Sequence, residues 1–186
     1  SALIAHPALA GATVSRAALR KYFAYGFIPA PNALYAGTHK LPGGESLLVD
    51  VRDGAVAHRR WWPFCLEPDE SLVAAGEERM AARVLELLDA AVARRLMSDV
   101  PLGVFLSGGV DSSAVTALAA RHAPDVAAFS IGFDDPAFDE SGKAREAAAC
   151  CRVAHHVSTL TLGDALALMP DIVGRLDEPM GDVSLI

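Results

Sequence analysis

The chain has 186 residues, of which 52% are apolar and 21% charged, and its formal net charge is −7. The length suits one domain of ordinary size with a sizeable core, and the composition excludes a disordered chain. The acidic balance gives no electrostatic footprint for nucleic acid or an anionic membrane, and no apolar run approaches the roughly 20 residues that cross a bilayer.

The opening residues, Ser1-Ala-Leu-Ile-Ala-His-Pro7, lack the basic start of a secretory signal. The sequence begins without Met and stops on the apolar Ser184-Leu-Ile186, which reads as a piece of a longer protein. Three cysteines, Cys65, Cys150 and Cys151, make neither a disulfide framework nor a zinc-type spacing, so a reduced, cytoplasmic protein is expected. Composition shifts near residue 70. Aromatic and turn residues crowd the segment 1–70, and long Ala- and Leu-rich stretches fill 71–186.

Taken in order, residues 15–25 predict a short helix with Ser15 as its N-cap. Pro29, Pro31, Pro42 and Gly43-Gly44 mark loops. Residues 46–62 predict a hairpin turning at Asp53-Gly54, with one of Trp61 and Trp62 packed beneath it. Residues 71–97 predict one helix, because Met80, Val84, Leu87, Leu88, Ala91 and Leu96 recur at three- and four-residue steps. Arg94 and Arg95 suit the negative end of its dipole.

From residue 100 the pattern alternates. Leu102–Leu106, Val126–Phe133 and His155–Leu160 predict strands, and Ser112–His122, Ser141–Val153 and Leu162–Leu176 predict helices. Such alternation implies an α/β fold with a parallel sheet and flanking helices, here preceded by a short helix and a β-hairpin segment. Ligands of such sheets bind beyond the carboxyl ends of the strands, where the segment after Leu106 lies.

That segment is Ser107-Gly-Gly-Val-Asp-Ser112. Gly108 and Gly109 allow backbone angles closed to other residues and let phosphate oxygens come near the chain. The hydroxyls of Ser107 and Ser112 can donate to those oxygens, and the helix that follows turns free N–H groups toward an anion. Asp111 would repel phosphate unless a Mg²⁺ ion bridged the two. The competing reading is a Gly-rich turn with Asp111 or Ser112 as helix cap. Neither a Walker P-loop nor a dinucleotide fingerprint is present.

S-G-G-x-D-S resembles the signature of the PP-loop ATP pyrophosphatases. The longer run Arg95-Leu-Met-Ser-Asp-Val-Pro-Leu-Gly-Val-Phe-Leu-Ser-Gly-Gly-Val-Asp-Ser-Ser113 closely resembles the synthetase domain of glutamine-hydrolysing asparagine synthetases. So do Phe129-Ser-Ile-Gly-Phe133, Phe138-Asp-Glu-Ser141 and Leu176-Asp-Glu-Pro179. Tyr25-Gly-Phe-Ile-Pro-Ala-Pro31 and Lys40-Leu-Pro42 resemble the entry to that domain, and residues 1–10 the tail of a preceding glutaminase domain.

The resemblance implies a PP-loop, adenine nucleotide alpha hydrolase-like fold. It implies that Ser107, Gly108, Gly109, Asp111 and Ser112 wrap the pyrophosphate of ATP, that Asp111 is a Mg²⁺ ligand with a catalytic role, and that Leu106 and Ile131 flank the adenine. The implied reaction activates a carboxylate, aspartate in the namesake enzymes, as an acyl-adenylate with release of pyrophosphate. Ammonia, drawn from glutamine by a glutaminase domain of the same chain, then displaces AMP. A β-lactam synthetase, a peptide-cyclising enzyme, a sugar-modifying amidotransferase or a non-catalytic nucleotide-binding module stays open, as does a homodimer.

Other candidates weigh toward structure. Asp139-Glu140 fits helix capping, His155-His156 has no metal-like partner set, and Cys150-Cys151 fits burial in a helix. Asp177-Glu178 divides evenly between a site role and a solvated helix end. The family's glutaminase begins with a nucleophilic Cys, and a second acidic loop, S-G-x-G-x-D-E, and a later catalytic basic residue complete its synthetase site; none stands in this sequence. By that resemblance, the 186 residues alone are not expected to make asparagine.

Overall fold

A computed structural model describes residues 6–182; residues 1–5 and 183–186, and with them part of the expected glutaminase tail and the apolar stop, lie outside the described residues. The chain forms two compact units. One takes the residues up to Glu67 and those from Leu166 on, the other Pro68–Ala165.

In the first unit, helix α1 (Arg16–Tyr25) starts where expected. The Ser15 hydroxyl accepts the Ala18 N–H at 3.3 Å, satisfying one of the donors that a helix start leaves unpaired. Strands β1 (Glu45–Val49) and β2 (Val56–Arg60) pair antiparallel, Glu45 opposite Arg60 and Val49 opposite Val56. Their connection is not the expected two-residue turn. It takes in residues 50–55, because the Asp50 and Asp53 carboxylates each accept the N–H two residues on, from Arg52 and Ala55, and so stabilise a wider loop.

Neither tryptophan packs under the hairpin. Trp61 is 62% exposed and Trp62 53%, and it is their backbone N–H groups that are held, both by the Gly44 carbonyl. Trp62 meets Phe64 edge-on instead, at 5.9 Å between ring centroids. The returning end of the chain joins this unit through specific bonds. The Lys40 ammonium binds both the Glu178 carboxylate and the Ile28 carbonyl, and the Gly181 N–H reaches the Gly26 carbonyl at 2.7 Å.

In the second unit, the single helix expected over 71–97 is two: α2 (Glu70–Ala75) and α3 (Glu77–Arg95). Gly76 separates them at φ 87°, ψ 174°, a conformation essentially closed to residues with a Cβ. The apolar stripe is only partly used. Val92 is buried and Leu88 and Leu96 pack beside it, whereas Met80, Val84 and Leu87 stay exposed. Arg94 and Arg95 occupy the last turn.

Three parallel strands follow: β3 (Gly103–Phe105), β4 (Ala127–Phe133) and β5 (Ala154–Leu160), in the order β3-β4-β5. Helices α4 (Val110–His122) and α5 (Ser141–Cys151) make the two crossovers. The α/β class, its parallel sheet and the preceding helix and hairpin agree with the sequence, with strand and helix limits displaced by at most two residues. Along β4 burial alternates: Ala128, Ser130 and Gly132 are buried, while Phe129, Ile131 and Phe133 emerge on the other face.

Two buried clusters anchor this unit. Val92, Leu118, Ala119 and Val126 lock α3 to α4, with the Asp89 carboxylate reaching His122 at 2.8 Å. Leu106, Ala128, Ala144 and Ala148 lock α5 to the sheet. Helix α6 (Leu162–Arg175) begins where the Thr161 hydroxyl and backbone N–H both donate to Asp164, and the division between the units falls inside it.

Among the described residues no helix is long and apolar enough to cross a membrane. The cysteines are free thiols. Cys150 is exposed, contrary to the expectation of burial, and Cys151 is half-buried, with burial first and Cys150 second pushing its thiol pKa upward.

Leu118 is 4% exposed at the centre of the first cluster. Leu118→Ala is expected to lower the unfolding free energy by about 2–5 kcal/mol, read as a shift of the urea midpoint at unchanged slope.

Candidate functional site

The segment after β3 forms a loop at the carboxyl end of the sheet, leading straight into α4. It is held from within. The Ser112 hydroxyl accepts the Ser107 N–H at 3.2 Å and lies 3.2 Å from the Gly109 carbonyl. The two serine hydroxyls are 2.9 Å apart, and the Gly109 N–H reaches the Ser107 hydroxyl at 3.3 Å. Ser107 and Ser112 thus brace the loop from within.

The glycines differ in role. Gly108 has φ 79°, the left-handed region, and a Cβ there would stand 2.6 Å from the Ala144 nitrogen and 2.7 Å from the Lys143 carbonyl carbon. Gly109 is ordinary extended backbone at φ −72°, ψ 163°. The expectation that both need glycine's angles is therefore corrected: only Gly108 does, for its conformation and for its close seat against α5.

The capping alternative is corrected as well. Gly109 is the N-cap of α4, and no side chain caps it; Asp111 lies in the first turn, and the first backbone bond of the helix runs from the Ser113 N–H to the Gly109 carbonyl. The preceding N–H groups therefore point out of the helix end into the loop, where the dipole favours negative charge. Asp111 is exposed beside them.

Leu106 and Ile131 lie apart. The Leu106 side chain is 2% exposed, packed with Ala128, Ala144 and Ala148 under α5, so a ligand can meet only its backbone. Ile131 is half-exposed on the opposite face of β4. There it lines an open hollow of about 370 Å³ with Phe105, Phe129, His156 and Ser158. The stacked rings of Phe129 and His156, 5.1 Å apart, form one wall. The two side chains do not make a sandwich in this structure.

Among the described residues no group of three or more His, Cys, Asp or Glu is placed to hold a metal ion, so Asp111 belongs to no prebuilt cage. Mg²⁺ needs none where substrate phosphates and one or two carboxylates supply its oxygens, and an exposed carboxylate at the loop fits that use.

Of the other candidates, the N-cap of α5 is Glu140, whose side chain makes no capping bond, and it is Asp139, one residue earlier, that binds the helix start. Its carboxylate accepts the Ser141 N–H at 3.0 Å, the Ser141 hydroxyl at 2.9 Å and the Phe133 N–H at 3.3 Å, which ties the end of β4 to the start of α5. These bonds, the Ser141 N–H first, hold its pKa below the usual carboxylate value. Glu178 is engaged by Lys40, and Asp177 is exposed.

Sequence reasoning missed Ser130, whose hydroxyl binds the Leu106 carbonyl and lies 2.7 Å from the His155 ring. The signal was available: a serine at the buried phase of an otherwise apolar strand.

Comparison with known proteins identifies the family. The profile of the family described as Asparagine synthase matches residues 83–186, more than half of the chain. The chain belongs to the asparagine synthase family.

It is 28% identical to asparagine synthetase [glutamine-hydrolyzing] 1 of Bacillus subtilis over 93% of its own length and 27% of that protein. Against a putative asparagine synthetase of Methanocaldococcus jannaschii it is 32% identical, over 92% of this chain and 33% of the other. Against the carboxyethyl-arginine beta-lactam-synthase of Streptomyces clavuligerus it is 35% identical, over 72% and 25%. The chain thus spans about a quarter to a third of the length of these curated relatives. Among solved structures, an NH3-dependent NAD synthetase from Campylobacter jejuni is similar at 17% identity and a TM-score of 0.38, over 56% of this chain and 44% of that one.

The two loop glycines are separable by experiment. Gly108→Ala is expected to cost about 1–3 kcal/mol from backbone strain alone, before the clash with α5. Gly109→Ala is expected to change stability by less than about 1 kcal/mol, because a slightly poorer cap is offset by a stiffer unfolded chain. Chemical denaturation of the two variants checks this.

Asp139 sets a pH dependence. Its folded pKa is depressed, so its contribution is fully present above the unfolded value and is lost as pH falls through the folded one. Asp139→Ala is expected to destabilise the protein at neutral pH and to flatten the acid limb of its stability curve below about pH 4, measured by thermal melting across pH.

Proposed function

We propose that this chain forms the pyrophosphate-holding part of an ATP-dependent amide-forming ligase. The observation that carries the reading is the uncapped start of α4 opening behind Gly108 at the carboxyl end of β3, in a chain of the asparagine synthase family. A bare helix start with converging backbone N–H groups is a site for phosphate oxygens, and Ser107 and Ser112 add donors that can turn toward them.

In this reading Ser107, Gly108, Gly109, Asp111 and Ser112 surround the β- and γ-phosphates, and Leu106 (through its backbone) and Ile131 border the adenine. A substrate carboxylate oxygen attacks the α-phosphorus, the bond to the bridging oxygen breaks, and pyrophosphate leaves into the loop. Ammonia nitrogen then attacks the acyl carbon, AMP departs, and a proton is lost from nitrogen to give the amide. The loop's work is alignment and charge stabilisation of the leaving pyrophosphate. Asp111 would hold a Mg²⁺ ion beside the phosphates, and that ion would supply the positive charge that makes a carboxylate tolerable there.

The carboxylate in this reading is the side chain of aspartate, the ammonia comes from glutamine through a glutaminase domain, and the setting is cytoplasmic. A second reading, amide formation on another carboxylate, is supported by the 35% identity to a carboxyethyl-arginine beta-lactam-synthase.

Asp111→Ala in the complete enzyme is expected to abolish pyrophosphate release, by about a hundredfold or more, with the fold retained. Release at the wild-type rate would overturn the proposal. Product analysis with aspartate against other carboxylates separates the two readings.

A further inference from the structure

Ser130 is a polar residue in a place built for small apolar ones. It is 6% exposed, on the face of β4 that carries Ala128 and Gly132 toward the helices. A buried hydroxyl needs partners, and it has two: the Leu106 carbonyl and Nε2 of His155, the latter at 2.7 Å. The hydroxyl has a single proton, and a carbonyl can only accept, so that proton goes to Leu106. His155 must then be the donor to the Ser130 oxygen, which requires a hydrogen on Nε2.

The result is a directed chain from β5 across β4 to the last residue before the loop. Leu106 is held at both backbone groups, because its N–H also donates to the Phe129 carbonyl at 2.8 Å. The peptide that leaves Leu106 is the one that delivers Ser107, and Ser107 takes part in three of the loop's internal bonds.

We infer that His155 is a positioning residue for the pyrophosphate loop: through Ser130 it fixes the Leu106 carbonyl and so the direction in which the loop leaves β3. Desolvation first, with the positive charge of Arg145 and the neighbouring His156 adding to it, lowers the His155 pKa and so favours the neutral ring. The role is distinct from that of His156, whose ring stacks on Phe129 on the other face of the sheet. This inference rests on the ATP reading of the loop.

The test uses the complete enzyme and four variants: His155→Leu, His155→Gln, Ser130→Ala and Asp111→Ala. His155→Leu and Ser130→Ala are expected to raise KM for ATP roughly five- to tenfold, the effect of one lost hydrogen bond, with kcat within about twofold and KM for the carboxylate unchanged. His155→Gln keeps an N–H donor and is expected to recover most of the wild-type KM. A merely structural residue would lower kcat through loss of active protein, leave KM for ATP unchanged and gain nothing from Gln; that pattern overturns the inference.

Should the Leu variant fail to fold, nitrogen NMR of the wild-type ring decides: hydrogen on Nε2 is expected, and hydrogen on Nδ1 alone overturns it. The Asp111→Ala arm separates the two levels. Wild-type pyrophosphate release there sinks the ATP reading and this inference with it, whereas loss of release beside an unchanged KM in His155→Leu sinks the inference alone.

Discussion

Gly108 sits so close to the first turn of α5 that its missing side chain is what lets the loop exist in this shape. The contact has a history in the packing behind it. Ala144 and Ala148 are the α5 residues that face the sheet, and both are 1% exposed against Leu106 and Ala128. Small side chains on both sides let the helix approach the strands closely, and a closely seated helix carries its first turn up to the loop. Asp139 then holds that turn in place from the end of β4. The loop is therefore positioned by packing two elements away, and its stiffness is a property of the α5–sheet interface more than of its own sequence.

That dependence explains what could be read in advance. The period-2 and period-3.6 patterns revealed the sheet and its crossovers because each strand buries one face and each helix one stripe. They also revealed the loop, since a glycine pair between a short apolar strand and a helix has few other uses. What stayed hidden depends on contacts distant in sequence. The break at Gly76 was invisible because an isolated glycine inside a helical pattern is often tolerated. The wide connection after Val49 follows from two aspartates that bind N–H groups two residues on, where a dipeptide rule saw only Asp53-Gly54. The roles of Gly108 and Gly109 could not be separated without knowing that α5 lies beneath the first. The return of Glu178 to Lys40 spans 138 residues of sequence and has no local signature.

The sheet itself is used unequally. One face of β4 carries small residues and Ser130 under α5, and on the other Phe129 and Ile131 line an open hollow with Phe105 while Phe133 is also exposed. Parallel sheets normally read as apolar on both faces, because helices cover both. A serine on the covered face is then the unusual residue. It is tolerated because its hydroxyl satisfies a carbonyl at the strand end, where a backbone partner is hardest to provide.

The same accounting applies inside the loop. The Ser107 and Ser112 hydroxyls are occupied by each other and by loop backbone, which braces the loop. The backbone N–H groups at the start of α4 are fixed donors and cannot turn away. The hydroxyls are adjustable ones, and rotation about a single bond redirects them. Exchanging a hydroxyl–hydroxyl bond for one to a phosphate oxygen replaces a neutral pair by a charge-assisted pair, which is roughly twice as strong. In the proposed role, an anion would meet these donors without any rearrangement of the backbone. The loop thus combines rigid donors from the helix with movable ones from the serines.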